Sequence, residues 1–348
     1  MADFASVNST PLDLTRARIL AFRRRAGALD RRLPPGPDSL RQAAWAGLQD
    51  SMPRAALLSI HARVEGTGPS TWEDPSLVQL WGPRHHVYAV AARDLALFSI
   101  AIHPDDEKGR LRAEERAARV MAVIGEARMG LNEVGEALGV HPNSLLYAAT
   151  TGTVLIRWDG ARRPTIWAVP PPSDDPREAR LELVRRYLHV SGPATAATFG
   201  WWSGLGPRAA ADAFSALAGA LTPVRTPVGE AWILAADEPA FGAEPEPAAP
   251  ARLLPSGDVF LLFQGPDREL LVPDAARRRA LWTPRVWPGG VLVDGEVVGT
   301  WRRAGAAMAV QPWVRLSPAA REAVEREAAG LPLPGVEGPV RVRWEDWP

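Results

Sequence analysis

The chain has 348 residues, with 40 basic and 40 acidic side chains and no cysteine. Without cysteine it has no disulfide and no cysteine-ligated zinc or iron–sulfur site. No segment approaches the roughly 18 consecutive apolar residues of a membrane-spanning helix, and the N-terminus lacks an export signal, so the sequence predicts a cytoplasmic protein. A chain of this length is expected to contain roughly two to four modules.

Three helices and a hairpin are predicted in the first part of the chain. The helices cover Leu12–Arg25, Ser39–Leu48 and Pro53–Val64. The hairpin covers Leu77–Ala91 and contains Pro83-Arg84-His85-His86. We assign these elements to a first module, residues 1–104.

The most informative stretch begins with two predicted helices. In Leu131–Leu138 the apolar side chains recur at three- and four-residue spacing, and Gly139 provides a left-handed C-terminal cap. Pro142 and Asn143 then start a second helix that extends to Thr150. Two helices joined by a tight turn are typical of a helix-turn-helix.

Two short strands are predicted directly after these helices. Thr153–Trp158 and Pro164–Val169 are rich in β-branched and aromatic residues, and the loop between them contains Arg162 and Arg163. The complete order indicates a winged helix, residues 105–170. Such modules often place a helix in a DNA groove, although they also serve as dimerisation or packing modules.

The same order is predicted once more after the proline-rich linker at residues 170–176. Helices are expected at Pro176–His189, Ala194–Ser203 and Arg208–Ala218, followed by strands near Thr222–Val224 and Val228–Ala235. This gives a third module, residues 171–238. Three similar units without obvious sequence identity indicate structural repetition.

A different pattern follows a second linker, at residues 239–250. Short strands are predicted at Arg252–Leu254, Val259–Gln264, Val291–Val293, Glu296–Trp301, Met308–Trp313 and Pro339–Trp344. Asp294-Gly295 is a tight hairpin turn, and Pro318–Ala329 is a helix. The predicted fold class is therefore α+β: three tandem winged-helix modules followed by a small C-terminal β-barrel, residues 251–348.

The zero net charge argues against nucleic acid, but arginine is unevenly distributed along the chain. Runs of arginine occur at residues 23–25, 31–32, 162–163, 185–186, 277–279 and 302–303. Any one run is readily explained as a solvated helix face. Together they predict a basic concave surface with salt-dependent affinity for DNA phosphates.

Three segments resemble a known family. They are residues 46–59, residues 190–205 and residues 291–303. In order and spacing they are similar to the tandem winged-helix DNA-binding proteins that include bacterial AlkZ-type and YcaQ-type DNA glycosylases. The resemblance extends from about Leu12 to about Arg326. It implies a C-shaped body around duplex DNA, excision of bulky or crosslinked alkylated bases, and no metal or other cofactor.

The resemblance also implies a catalytic position. Family members carry a Gln-x-Gln or Gln-x-Asp motif, whose first residue corresponds to Gln49. Ser51 stands at the third position, and a serine cannot carry negative charge. Asp50 is anionic but points elsewhere unless the backbone turns before Pro53. Gln49, Asp50 and Ser51 are therefore candidate catalytic residues, and Asp50 or Ser51 is equally well explained as a helix cap.

The remaining candidates concern DNA contact. We expect it from exposed cations and ring side chains on the modules: Arg54, Trp81, Arg84, His85, His86, Asn143, Arg162, Arg163 and Arg208. Neighbouring histidines on a strand alternate sides, so only one of His85 and His86 can face a groove. The histidines have no metal-ligand spacing. Most tryptophans are expected in the core.

Two functions from different classes fit these features. The first is a monofunctional DNA glycosylase, since a glutamine that positions water can suffice when an alkylated base is already cationic. The second is a DNA-binding protein of the same architecture that does not excise bases. A transcription regulator is a weaker third possibility. In each case the expected partner is duplex DNA and the expected state is a monomer.

Overall fold

The computed structural model describes residues 11–50, 52, 54–158 and 163–346. These residues form a mixed α+β fold in which short helices alternate with four small sheets. No helix in this part of the chain is both long and apolar enough to cross a membrane. Helix, short strand, helix and hairpin occur in this order in two successive units, a third unit has an isolated β-bridge in place of the short strand, and a larger sheet follows.

The first unit is built around a three-stranded sheet. Its elements are β1 (Leu12–Asp13), α1 (Arg16–Ala26), α2 (Pro37–Ala43), β2 (Leu48–Gln49), α3 (Ala55–His61), β3 (Leu77–Trp81), β4 (Val87–Ala91) and α4 (Leu95–Ile100). Strands β3 and β4 are the predicted hairpin, and β2 pairs with β4. This pairing places the segment after β2 beside the hairpin.

The second unit has the same sheet order. Its elements are α5 (Glu107–Ile124), β5 (Met129–Gly130), α6 (Leu131–Leu138), a 3₁₀ helix (Pro142–Thr151), β6 (Val154–Arg157) and β7 (Thr165–Ala168). Strand β7 pairs with both β5 and β6. The predicted bounds of α6 are confirmed, because Gly139 ends the helix at a φ of +64°. The helix that follows is 3₁₀ rather than α.

Trp81 lies between the first two units. It was expected to contact DNA, but it is only 5% exposed and packs with Val120, Leu145 and Ile166 of the second unit. The reason is that β3 lies against β6, so the side of β3 that carries Trp81 faces a neighbouring core. A buried indole cannot stack on a base, and this expectation is corrected.

The third unit packs with β1 and α1, which come before the other elements of the first unit in the chain. Its elements are α7 (Pro176–Ser191), α8 (Ala196–Ser203), α9 (Pro207–Ala216), β8 (Leu221–Thr226) and β9 (Gly229–Leu234), followed by α10 (Glu238–Gly242). Strand β1 pairs in parallel with β8, and Phe22 of α1 stacks on Phe241 at 3.7 Å between ring centroids. Leu12 thus pairs with Val224 of β8, which is 212 positions further along the chain (224 − 12 = 212).

The C-terminal unit contains five strands in one sheet. Its elements are β10 (Ala251–Leu254), α11 (Asp267–Leu271), α12 (Ala275–Leu281), β11 (Gly289–Val293), β12 (Glu296–Ala304), β13 (Ala307–Pro312), α13 (Pro318–Ala329) and β14 (Arg341–Trp344). The predicted turn at Asp294-Gly295 is confirmed, with positive φ at both residues.

The described residues do not form the expected closed barrel. Their strands pair in the order β10-β11-β12-β13-β14, and no pairing joins β10 to β14. Helix α13 covers one face, where Val324 and Ala328 pack with Leu253 and Met308. Because a helix buries that apolar face, the sheet does not need to close on itself. The strand predicted at residues 259–264 is instead a buried 3₁₀ helix, Val259–Leu261.

Buried arginines link the units. Arg186 of α7 donates two hydrogen bonds to Asp94, at 2.9 and 3.0 Å, and Arg63 donates two to Asp258, at 2.7 and 2.8 Å. Arg23 donates to the carbonyl of Gly192 at 3.0 Å. Arg23 and Arg186 therefore do not add to a basic surface as expected, because they are buried and bonded to carbonyls or carboxylates of other units.

Candidate functional site

Gln49 ends strand β2 at a junction of three units. It pairs with Tyr88 of β4, and the next residue, Asp50, donates its N–H to the carbonyl of Val87 at 2.7 Å. The chain then leaves the sheet and begins α3. This short strand holds the backbone of Gln49 against the hairpin, while its side chain is half-buried.

The amide of Gln49 is oriented by its neighbours. Nη2 of Arg84 donates to Oε1 of Gln49 at 2.8 Å. Because a guanidinium has only donors, the oxygen must face Arg84 and the NH₂ group must face away. On that side lies Gly257, at a φ of +81°, where an added Cβ would be 3.2 Å from Nε2 of Gln49. The C-terminal unit thus approaches Gln49 closely enough to require glycine.

Arg84 itself is fixed by the third unit. Both Arg84 and His85 have left-handed backbone conformations, with φ of 54° and 56°. The guanidinium of Arg84 lies 4.4 Å from the ring centre of Trp201, and an added Cβ at Gly204 would be 3.0 Å from Cα of Arg84. The tip of the first hairpin is therefore clamped against the turn between α8 and α9.

Asp50 follows Gln49 in the chain, but its side chain is buried and the residue is only 2% exposed. Its Oδ1 accepts the N–H of Ala56 in the first turn of α3, at 2.9 Å, and its Oδ2 accepts Nε2 of Gln79 at 2.5 Å. Burial raises its pKa to about 6, although these two hydrogen bonds oppose the shift. Asp50 thus caps helix α3, which is one of the two roles predicted for it. Ser51 lies outside the described residues.

Sequence reasoning did not single out Gln79. Its amide also exchanges two hydrogen bonds with the backbone of Trp158 in the second unit, donating to the carbonyl at 3.1 Å and accepting the N–H at 2.8 Å. It is 2% exposed. A polar amide within the otherwise apolar run Leu77–Trp81 was the available signal, because a buried amide needs partners.

Arg54 begins helix α3 in a left-handed conformation, with a φ of 63°. Its guanidinium lies 3.6 Å from the ring centre of Trp72, and Arg157 of β6 lies 3.5 Å from the same ring. Two cations on one indole bring the first and second units together. Trp72 and Arg157 were not predicted, and only their residue types hinted at the contact.

The two histidines of the hairpin differ in exposure. His85 is half-buried, with its ring 5.0 Å from that of Tyr147, and burial lowers its pKa. His86 is exposed. They lie at a 3₁₀ turn rather than on a strand, and which of them faces a groove stays a prediction. The part of the chain described here contains no cluster of three histidine or acidic side chains that could hold a metal ion.

The remaining predicted DNA contacts are on the surface. Asn143, Arg163 and Arg208 are exposed, and the side chain of Arg208 is 96% exposed. Arg162 lies outside the described residues. These positions belong to the second and third units, whereas Gln49 belongs to the first, so the surface proposed for DNA extends over all three.

A cleft of about 1,020 Å³ separates α5 from α9. His85 and Tyr147 line it together with Arg112, Arg116 and Arg208. The aspartates at positions 105, 106 and 212 line it as well, so this cleft is mixed in charge rather than uniformly basic. The predicted basic surface must therefore be sought at single exposed arginines and not in this cleft as a whole.

Comparisons with known proteins agree with this architecture. A family model described as DNA glycosylase AlkZ-like matches residues 43–332. The chain is 33% identical over 164 residues to the interstrand DNA cross-link repair glycosylase of Streptomyces sahachiroi, a match that covers 44% of this chain and 42% of that protein. The solved structure of DNA glycosylase AlkZ from the same organism superposes with a TM-score of 0.77 at 21% identity, covering 96% of this chain and 100% of that one, so the two share a fold.

Proposed function

The chain belongs to the AlkZ-like DNA glycosylase family, and on that premise we propose that it hydrolyses the N-glycosidic bond of alkylated or crosslinked bases in duplex DNA. The observation that carries this proposal is Gln49, whose amide is held at a three-unit junction by Arg84 and Gly257. A half-buried amide whose oxygen is oriented by an arginine suits a site that positions water next to bound DNA.

The proposed architecture is three winged-helix modules, residues 1–104, 105–170 and 171–238, followed by a C-terminal module at 251–348. The repeated sheet supports this, because in the first two units the strand before a helix pairs with the second strand of the hairpin. In the third unit the bridge between Ala194 and Trp232 is equivalent. Winged helices commonly bind DNA grooves.

The proposed chemistry needs no general base of high strength. Asp50 is buried and bonded to Ala56 and Gln79, and Asp258 is buried and bonded to Arg63 and Ser59. Neither carboxylate is free to reach a sugar. Oε1 of Gln49 keeps one lone pair after accepting from Arg84, and a water can donate to it. Such a site favours substrates whose base is already cationic, since that base leaves without protonation.

We propose that exposed cations hold the duplex. The protein would act on DNA in the cytoplasm and as a monomer. Arg163 and Arg208 would contact phosphates from the second and third modules, and Asn143 would contact a groove. Arg54, Arg84 and His86 would act nearer to the lesion. Phosphate contacts of this kind position a protein without specifying sequence.

The test is base excision from defined duplexes. Purified protein is incubated with a duplex containing N7-methylguanine or a nitrogen-mustard crosslink, and abasic sites are revealed by alkaline strand cleavage. We expect cleavage by the wild type and a loss of about 100-fold or more for Gln49→Ala. Gln42→Ala, which changes an exposed glutamine of α2, is the control and should retain the wild-type rate.

A second candidate is a DNA-binding protein that does not excise bases. The burial of Asp50 favours it, because no described carboxylate next to Gln49 is free to assist hydrolysis. Full binding of undamaged and alkylated duplexes with no abasic product from any of them would establish this alternative. Excision that persists in Gln49→Ala would instead relocate the site.

A further inference from the structure

A small basic pocket lies in the C-terminal unit, apart from Gln49. It has a volume of about 320 Å³ and is formed by the segment after the 3₁₀ helix at 259–261, by α11 and by α12. Its lining residues are Gln264, Gly265, Arg268, Ala275, Arg278, Arg279 and Trp282. Two of the three arginines come from the run at residues 277–279, which the proposed function leaves unexplained.

The pocket carries an excess of positive charge. None of its lining residues is acidic, and Arg278 forms an ion pair at 3.5 Å with Glu269, which lies outside the lining. Arg268 is half-buried and has no carboxylate within 4.0 Å among the described residues. Arg279 is exposed, and no hydrogen bond or ion pair joins it to another residue in the described ranges. A half-buried cation without a carboxylate partner gains from binding an anion.

Two of these guanidiniums are already held in place. Nε of Arg268 donates to the carbonyl of Phe263 at 2.8 Å, and the group lies 4.9 Å from the ring centre of Trp282. Nη1 of Arg278 donates to the carbonyls of Val272 and Pro273. Both arginines keep further N–H donors, so an anion would not have to order them first. Preorganised guanidiniums favour the planar, multidentate contacts that phosphate oxygens offer.

We propose that this pocket binds a phosphate group, and that in the working protein the group is a backbone phosphodiester of the bound duplex. The choice of DNA as the source rests on the proposed function. Gln264 is seven residues from Gly257 (264 − 257), so at most about 25 Å separates the pocket wall from the contact with Gln49. That distance corresponds to about seven base pairs at 3.4 Å each, within the reach of one bound duplex.

The test measures binding of an undamaged, fluorescein-labelled duplex by fluorescence anisotropy over a range of salt concentrations. For Arg279→Glu we expect the Kd to rise about tenfold or more. The slope of log Kd against log salt should fall by about 0.9, the change expected for the loss of one phosphate contact. Arg341→Glu reverses an exposed arginine of β14 in the same unit and is the matched control. Arg279 makes no described contact, so its replacement should leave the melting temperature unchanged.

Inorganic phosphate separates the two possible sources of the group. Phosphate binding to the wild type, followed by ³¹P line broadening and abolished by Arg279→Glu without a change in DNA affinity, would assign the pocket to a free phosphate. If Arg279→Glu matches Arg341→Glu in both assays, the proposal is overturned. Neither assay requires base excision, so failure of the proposed catalysis and failure of this pocket give different results.

Discussion

At Gln49 the orientation of one amide depends on residues of the first and C-terminal units. Arg84 fixes its oxygen, Gly257 limits the space beside its nitrogen, and Tyr88 pairs with its backbone. A catalytic group that is held on several sides loses little conformational freedom when substrate binds. Such prior orientation contributes to the reaction rate.

Replacing Arg84 with methionine tests this orientation. The variant keeps an extended side chain for Trp201 but loses the donor to Oε1 of Gln49, so the amide can turn. We expect the single-turnover excision rate at saturating protein to fall on the order of tenfold. Arg93→Met changes an arginine of the same module whose side chain is 57% exposed, and it should have the wild-type rate. Equal rates for both variants would contradict the orienting role.

Asp50 predicts a pH dependence of stability. Its pKa is about 6 in the folded protein, above the ordinary value of 3.8, so the folded state binds this proton more tightly than the unfolded state does. The resulting stabilisation is complete below pH 3.8 and is lost as the pH rises through 6. Urea unfolding should show the wild type losing about 3 kcal/mol relative to Asp50→Asn between pH 4 and pH 8. Asp38→Asn, at a 95% exposed side chain, should show no such difference.

At the scale of elements, buried polar contacts define how the units meet. Arg63 follows α3 in the chain, and Asp258 follows β10. Arg63 donates two hydrogen bonds to the carboxylate of Asp258, and the hydroxyl of Ser59 donates a third at 2.6 Å. Gln79 likewise links β3 to the end of β6. Each contact satisfies groups that would be costly to bury alone, so each specifies one docking geometry.

Removing one partner of the buried pair should be strongly destabilising. Asp258→Ala leaves the guanidinium of Arg63, which is 1% exposed, without a carboxylate. We expect the free energy of unfolding to fall by about 3–5 kcal/mol in urea titrations. Glu322→Ala breaks the exposed pair with Arg326 on α13 and should cost less than about 1 kcal/mol. Similar losses for the two variants would show that burial does not set the strength of the first pair.

Gly204 controls the position of the hairpin tip. Alanine there would place a Cβ 3.0 Å from Cα of Arg84 at a φ of +82°, a conformation that costs about 1–2 kcal/mol for other residues. Gly204→Ala should therefore lower both the melting temperature and the excision rate. Gly219→Ala adds the same methyl group where nothing lies within 4 Å and φ is not positive. It should change neither quantity.

For the whole molecule, 40 basic and 40 acidic side chains give a net charge of zero, and the arginines differ in whether they are buried or exposed. Arginines at positions 23, 63 and 186 are buried with carbonyls or carboxylates, and only part of the cationic charge remains on the surface. The affinity for DNA should thus depend on a few exposed arginines. A net charge of zero is compatible with such binding, because the local distribution of charge sets the field at a DNA contact.

Arg208 provides the corresponding test. Arg208→Ala removes an exposed guanidinium at the start of α9, and among the residues that the structure describes its ion pair is with Asp212, 3.8 Å away. If Arg208 contacts one phosphate, the slope of log Kd against log salt should fall by about 0.9 for undamaged duplex. Arg326→Ala on α13 should leave the slope unchanged. An unchanged slope in Arg208→Ala would remove this residue from the DNA-binding surface.

Local patterns predicted most elements but missed several. Helices Leu131–Leu138 and Pro318–Ala329 were predicted with the observed bounds, because caps and apolar spacing act over a few residues. Helix α5 was missed, although Asp106 caps it and its buried face recurs at positions 113, 117, 120 and 124. Residues 259–264 were misassigned because a short apolar run fits any buried segment.

The sequence alone determined the helices with clear caps, the hairpins with turn residues, the three repeated units and the family resemblance, which also pointed to Gln49. Each of these depends on neighbours along the chain. Only the tertiary structure decided that Asp50 is buried, that Trp81 lies in a core, that β1 joins the third sheet and that arginines such as Arg23 and Arg186 link units. Those outcomes depend on contacts between residues far apart in sequence, and no local spacing encodes which carboxylate a given arginine will meet.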